Sequence, residues 1–408
     1  MLRILTDNSS KHNFLFDDVY DFKMNLSYND SVDYIPMMGY METCMNTINT
    51  FYTPFIIFIG FVGNILSFLV LSTTHLRMRS SSYYLAALAV SDFGFLMMVF
   101  VVYCSFNEIF DLFNREGFCQ LFVYLTYVFG FLSVWLTVAF TTERFIAVRY
   151  PLRRQYICTV SRAKSIVCGI VVVALLSQIH YFWVAGLIIV HDDKKADCAL
   201  RQDYVLWGNI TNCLDTFFTL IIPVILIVFM NIIIARVVFR SHNLGLQDEE
   251  RFSSEGMRFY PVGSQSSNST RNSDQECSTS SRRVKYDDCS LRCNRQTRST
   301  SMQVQHNINK MLLLISSVFI ALNFPSYVLR LAIYFGFTLW NKQAPEYLWC
   351  GQQFAMLLYY TNFSINFLLY AMCGKSFRIC LKKMFLRGCD PFLDGLRRLW
   401  GLFRSAFE

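Results

Sequence analysis

Charge is what this chain has least of. Asp, Glu, Lys and Arg together make 16% of its 408 residues, against roughly 25% in an average soluble protein. A soluble domain of this size needs a charged skin, so the shortage argues against one. Cysteine is also too thin for a disulfide-stapled secreted scaffold, at 14 in 408 residues. Disorder throughout is excluded by the opposite feature: apolar residues reach 54%, with 39 Phe. These absences point to a membrane protein.

The apolar residues gather in long runs. A membrane-crossing helix needs about 20 mostly apolar residues, and seven stretches qualify: Phe51 to Leu71, Tyr83 to Cys104, Cys119 to Thr142, Ser165 to Val190, Phe217 to Ala235, Met311 to Phe337 and Tyr347 to Met372. Backbone groups in lipid must be satisfied within the segment, so the runs read as helices. The predicted fold class is an all-α membrane protein, a seven-helix transmembrane bundle over 49–373. An N-terminal tail, 1–48, precedes it, and an amphipathic eighth helix and tail, 374–408, follow. Met1 to Ser10 lack an apolar core and a cleavage pattern, so no cleaved signal peptide is expected.

Basic residues set the orientation. Of 37 Lys and Arg, 28 fall after helices one, three and five and in the C-terminal tail, which places those segments in the cytoplasm. The N-terminus is therefore outside, and residues 1–47 carry seven acidic side chains against three basic ones. Asn8, Asn25, Asn29 and Asn209 lie in Asn-x-Ser/Thr sequons on that outer side and are candidate glycosylation sites. Asn268 also matches but is cytoplasmic. The loop 241–306 is polar and rich in Ser, Thr and Arg, the composition of a disordered linker, with Ser273 and Ser299 near Arg as kinase candidates. In the tail, Lys375, Arg378, Lys382 and Lys383 alternate with apolar residues, as in a helix lying at the lipid interface. A second amphipathic stretch runs from Phe392 to Phe407. Cys380 and Cys389 beside this belt are candidate palmitoylation sites.

Polar residues inside the apolar runs are the informative ones. A carboxylate at mid-membrane costs about 3 kcal/mol on insertion scales, and Asp92 sits in the middle of helix two. Asn64, Ser133, Asn362 and Asn366 are polar groups within helices one, three and seven. Two arrangements are open: convergence on one cavity holding water or a cation, or scattered interhelical hydrogen bonds. Glu143 and Arg144 stand together at the cytoplasmic end of helix three. Arg144 lies 25 residues after Cys119, about 37 Å of helix, enough to cross a bilayer. Cys119 is then at the outer end, where Cys198 is the natural disulfide partner; Cys44 and Cys350 are a second outer pair.

With these marks in place the chain resembles the rhodopsin-like (class A) G-protein-coupled receptors, from about Asn49 to Leu386. The resemblance rests on Gly63-Asn64, Leu88-Ala89-Val90-Ser91-Asp92, Cys119, Glu143-Arg144-Phe145, Pro223, Pro325 and Asn366-Phe367-Leu368-Leu369-Tyr370. It implies a sodium site at Asp92 with Ser133, Asn362 and Asn366, and coupling to a heterotrimeric G protein through Arg144 once helix six swings outward. Glu143, Asn366 and Tyr370 join Arg144 in the implied activation machinery. Arrestin, receptor kinases and membrane lipid are further implied partners, and the plasma membrane the implied location. The chain also departs from the family: Phe145 replaces Tyr, Phe367 replaces Pro, Asn323 replaces Trp, and helix six lacks an acid near Gln305. The runs around Asn362 and Asn323 resemble invertebrate neuropeptide receptors of the FMRFamide, myosuppressin and sex-peptide group.

Chemistry narrows the ligand. Amine receptors carry a carboxylate on helix three where this chain has Thr126, and opsins need a Lys on helix seven, where there is none. The outer end offers Thr126, Tyr127, Asp215, Tyr327, Arg330 and Gln353, with Gln352 and Tyr359 beside them. Asp215 suits a basic ligand group. Arg330 either faces the pocket or snorkels to the headgroups. A peptide is the first reading, a lipid or small chemosensory ligand the second, and a transporter or channel a distant third, since no inverted repeat is evident. No catalytic or metal cluster supports an enzyme, and nothing suggests nucleic acid.

Overall fold

The computed structural model describes residues 34–189, 196–256, 314–336 and 345–386. Seven long helices run in chain order: α1 (Tyr34–Thr73), α2 (Ser80–Phe106), α3 (Phe118–Arg149), α4 (Val160–Ser177), α5, α6 (Leu314–Gly336) and α7 (Glu346–Cys373). Helix α5 is composite: Val205–Thr216, a π-turn at Phe217–Ile221, then Ile222–Gly256. A short helix, α8, follows Gly374 over 375–386. Six of the seven long helices are long and apolar enough to cross a membrane on length and composition. The seventh crossing, α7, is the most polar, with Gln352, Gln353, Asn362, Ser364 and Asn366 along it.

The bundle is inside out relative to a soluble protein. Phe51, Phe58 and Leu176 are 73%, 68% and 65% exposed, while Asp92, Asn64 and Asn323 are 2% exposed or less. Lipid accepts the apolar exterior, and only the interior offers partners for polar groups. Helix α1 lies against α2 and α7, α2 against α3 and α4, and α3 against α5. Phe319 of α6 packs with Val134 and Val138 of α3 and Ile227 and Met230 of α5. Polar bonds tie these contacts. Asn64 Nδ2 donates to the Phe363 carbonyl at 2.9 Å, and the Tyr52 and Thr361 hydroxyls meet at 2.8 Å, both joining α1 to α7. Ser91 donates to the Phe129 carbonyl at 2.8 Å, joining α2 to α3.

Small residues permit the α1–α7 approach. A Cβ on Gly60 would lie 2.8 Å from Ser364 Oγ, and one on Gly63 would lie 2.9 Å from Phe367 Cβ. Close backbone approach at such positions is how membrane helices gain packing in the absence of a hydrophobic drive. Phe367, which stands where the family has Pro, is thus used as a packing residue. Its ring also meets Phe377 of α8 at 5.9 Å between centroids. Arg378 of α8 donates to the carbonyls of Ala371 and Met372, at 3.0 and 2.5 Å, satisfying the open C-terminus of α7.

Several boundaries differ from those read off the sequence. The fourth apolar run does not stay helical to Val190. Helix α4 ends at Ser177, a one-turn helix covers Tyr181–Val184, and Ala185–Ile189 forms a strand, β1, antiparallel to β2 (Ala196–Leu200). A short, continuously apolar run reads alike as helix or strand, and here pairing decides. Helix α1 starts at Tyr34, ahead of its apolar run. Helix α5 starts at Val205 and continues as helix to Gly256, into the stretch expected to be a loop from 241. The rest of that stretch lies outside the described residues, as do Asn8, Asn25, Asn29, Cys389 and the amphipathic tail beyond 386.

Cys119 at the start of α3 is bonded to Cys198 in β2 across 79 residues of sequence, and both are fully buried. The Cys198 amide accepts further support by donating to Asn114 Oδ1 at 3.0 Å. The hairpin is held over the outer end of the bundle by that link. Cys198→Ser should cost about 2–4 kcal/mol of stability. The expected result is a lower thermal midpoint of the detergent-solubilised full chain, matched by reducing the wild type.

Candidate functional site

Three polar layers lie along the bundle. The deepest is Asp92 of α2, which has no solvent exposure. Ser133 Oγ of α3 donates to its Oδ1 at 2.6 Å, and Asn366 Nδ2 of α7 donates to its Oδ2 at 2.6 Å. One carboxyl group therefore joins three helices through two short hydrogen bonds. Of the five polar residues expected to converge, these three do so. Asn64 instead donates to the Phe363 carbonyl. Asn362, one turn above Asn366, is buried without a hydrogen bond to Asp92. Both readings of the sequence are thus partly realised: a cluster, with helix ties beside it.

One turn above Asp92, Phe95 stacks on Phe363 at 3.7 Å and meets the Tyr359 ring edge-on at 5.6 Å. This aromatic layer floors a narrow cavity of about 20 Å³, room for about one water. Its walls are Thr126, Tyr127, Gly130 and Phe131 of α3, Asp215 and Thr219 of α5, Tyr327 and Arg330 of α6, and Tyr359 of α7. Arg330 faces this cavity rather than the headgroups. Its guanidinium carbon lies 5.2 Å from the Tyr327 ring centre, and Nη2 lies 4.0 Å from Met356 Sδ. Thr126 turns its hydroxyl to the Phe122 carbonyl at 2.7 Å. Tyr127 stacks on Tyr181 at 3.7 Å, so the segment leading into the disulfide-held hairpin touches the cavity wall.

Sequence reasoning missed Thr219 and Gly130. The π-turn carries Thr219 inward, where its hydroxyl meets the Tyr327 hydroxyl at 3.1 Å and ties α5 to α6. Nothing in hydropathy signals that local widening. Gly130 matters because a Cβ there would lie 3.3 Å from the Tyr359 hydroxyl. Gln353, also expected at the outer end, is not among the residues lining this cavity. It stands six residues from Tyr359, about 240° round the helix at 3.6 residues per turn.

The third layer is cytoplasmic. Glu143 Oε1 accepts a hydrogen bond from Ser80 Oγ at 2.8 Å, so the acid is held by the start of α2 rather than by its neighbour Arg144. Arg144 lies over the Phe140 ring, its guanidinium carbon 5.4 Å from the centre. Its Nε and Glu143 Oε2 are buried without a hydrogen-bond partner among the described residues. Ser80 was readable as the first of three serines opening helix two. Tyr370 is buried against Phe377, with 5.7 Å between ring centres. Beyond α3, Leu152 and Tyr156 project at 89% and 76% exposure.

Residues 63–370 match the 7 transmembrane receptor (rhodopsin family). This chain belongs to that family. The receptor is 30% identical over 188 residues to the thyrotropin-releasing hormone receptor of Gallus gallus, covering 44% of this chain and 46% of that protein. It is 27% identical over 157 residues to the FMRFamide peptide receptor frpr-18 of Caenorhabditis elegans, covering 36% and 35%. A galanin-like G-protein coupled receptor, npr-9 of the same organism, is 28% identical over 152 residues, covering 36% and 34%. The chain thus spans less than half the length of these relatives. The family is one of multi-pass membrane receptors of the cell surface, not of enzymes.

The remaining expected sites are placed as follows. Asn209 lies in the outer part of the receptor's α5. Cys44 and Cys350 form no disulfide with each other. Cys380 is a correction: it is 1% exposed, with Sγ 3.6 Å from a His75 ring nitrogen, and it faces the bundle where acylation needs a lipid-facing thiol. Among the described residues no cluster of three or more His, Cys, Asp or Glu could hold a metal. Ser133→Ala should leave Asp92 Oδ1 short of a donor and destabilise the receptor by roughly 1–3 kcal/mol. Asn366→Ala should do likewise, and the double variant should deviate from additivity, read from thermal midpoints in one detergent.

Proposed function

We propose that this receptor is activated by a peptide and passes the signal to a heterotrimeric G protein. The observation that carries the reading is the outer cavity, which presents an acid, a base and three tyrosines while Thr126 fills the place of the amine-binding carboxylate. The relatives support it, since two are named for thyrotropin-releasing hormone and FMRFamide peptides and a third is galanin-like.

The geometry supplies a route. A ligand entering the cavity presses on Tyr327 and Arg330 of α6 and on Asp215 of α5, and the Thr219–Tyr327 bond couples those two helices. Helix α6 carries Pro325, which lacks an N–H and gives the helix a natural bending point. Displacement of the cytoplasmic half of α6 opens the end of α3, where Arg144 lies over the Phe140 ring. Exposed Leu152 and Tyr156 extend the surface a G protein meets. Glu143, held by Ser80, fixes the turn from which Arg144 projects.

A sodium ion suits the middle layer: Asp92 offers a carboxylate, and Ser133 and Asn362 offer neutral oxygens of the kind hard cations bind. Bound there, it would supply the positive charge that makes a mid-membrane carboxylate inexpensive. Arrestin and receptor kinases, acting on the serine-rich loop 241–306, and membrane lipid around α8 complete the proposed partners.

Arg144→Ala should abolish G-protein output while leaving surface expression largely intact; undiminished calcium and cAMP responses from cells displaying that variant would count against the reading. Asp92→Asn should remove the sodium dependence of agonist binding, measured by exchanging sodium for a bulky organic cation. Thyrotropin-releasing hormone, FMRFamide and galanin head the peptide panel for a calcium and cAMP screen.

A further inference from the structure

Two donors on α6 converge on one sulfur atom of α7. Ser326 Oγ lies 3.3 Å from Met356 Sδ, and Arg330 Nη2 lies 4.0 Å from it. Ser326 and Arg330 are four residues apart, so they stand one above the other on a single face of the helix. Ser326 is 1% exposed, and Arg330 is held over the Tyr327 ring within the field of Asp215. A thioether is a weak acceptor, so a hydroxyl and a guanidinium are here matched to a poor partner. Met230 differs, because the Thr142 hydroxyl that reaches its sulfur at 3.4 Å is already bonded to the Val138 carbonyl at 2.8 Å. Met356 is itself only partly buried.

We propose that Met356 is a site of oxidative modification and that its sulfoxide staples α7 to α6. The oxidant is a hydroperoxide, hydrogen peroxide in the simplest case. A sulfur lone pair attacks one peroxide oxygen, and the S–O bond forms as the O–O bond breaks. The other oxygen leaves as hydroxide and becomes water by taking the proton from the transferred oxygen. Sulfur loses two electrons and the peroxide gains them. A sulfoxide at a packed position ordinarily loosens it, because a polar group then sits among apolar ones. Here the new oxygen forms beside a hydroxyl and a charged guanidinium, and hydrogen bonds from charged donors are the stronger kind. The sign of the effect is therefore reversed at this methionine. Ser326 follows Pro325 directly, so the staple also stiffens α6 at its bending point, a consequence that rests on the signalling reading as the modification itself does not.

The test is graded hydrogen peroxide on the purified full chain in one detergent. Peptide mass spectrometry reads the oxidation of each methionine, and the thermal midpoint is measured on the same samples. Met78 and Met372, 74% and 70% exposed, serve as internal standards. Met356 should convert, and the midpoint should rise by roughly 2 °C, the scale of one added hydrogen bond in a large domain. Met356→Leu should lose the rise while the other methionines are still oxidised. Ser326→Ala should keep the conversion of Met356 and lose most of the rise, whereas Ser326→Thr retains the hydroxyl and should retain the rise. Each variant is compared with its own untreated form, so a change in starting stability does not mimic the effect. Met356 left intact when Met78 and Met372 are fully converted overturns the proposal. So does a midpoint that stays level or falls, or a rise that survives Met356→Leu or Ser326→Ala. No agonist is needed, so the outcome is independent of the ligand's identity.

Discussion

Much of this structure depends on one carboxylate kept out of water. Asp92 is tolerable at mid-membrane because Ser133 and Asn366 reach it from two other helices at 2.6 Å. Their donors fix the relative rotation of α2, α3 and α7, and rotation decides which residues face inward elsewhere. With α2 in that phase, Phe95 lands one turn higher against Phe363 and Tyr359, closing the cavity floor. With α3 in that phase, Tyr127 and Gly130 face the cavity and Glu143 meets Ser80 at the far end. A polar contact worth little in water becomes a positioning device where the alternative is an unsatisfied group in hydrocarbon.

The two ends of the bundle are built by different means. Outside, a covalent link and a short hairpin hold the rim, and aromatic stacking carries the hairpin's approach to Tyr127. At the cytoplasmic end Arg144 rests on an aromatic face, and among the described residues its buried Nε has no hydrogen-bond partner. The departures from the family pattern fit locally. Phe367 packs on Phe377 and against Gly63, and Asn323 donates to the Phe319 carbonyl at 2.6 Å, its own buried amide oxygen having no partner among the described residues.

Hydropathy made the spans legible because lipid imposes length and apolarity directly on the chain. It could not place the end of the fourth run, since Leu187-Ile188-Ile189 is as apolar in a strand as in a helix and only pairing with β2 distinguishes them. Asp92, Ser133 and Asn366 were legible as polar residues out of place, whereas Asn64 looked the same and turned to a backbone carbonyl instead. Thr219 was invisible because a π-turn leaves no compositional mark, and Gln353, polar and at the outer end, lies outside the cavity's lining because of its helical phase. Cys380 read as a palmitoylation candidate from its basic, apolar surroundings, but helical phase turns it toward His75.

The joining of α1 to α7 has a consequence for how the chain is made. Helix α7 is the most polar of the crossings and is the last to leave the ribosome, so by itself it has the weakest claim on the bilayer. Its partners on α1, Tyr52 and Asn64, are among the first residues inserted and stand ready to accept it at Thr361 and the Phe363 carbonyl. The glycines at 60 and 63 leave the slot in which Ser364 and Phe367 settle. The bundle therefore closes as a ring, with contacts on the first helix holding the last. A defect at the α1–α7 seam would be felt as a chain that fails to complete insertion before it is felt as a receptor that fails to respond.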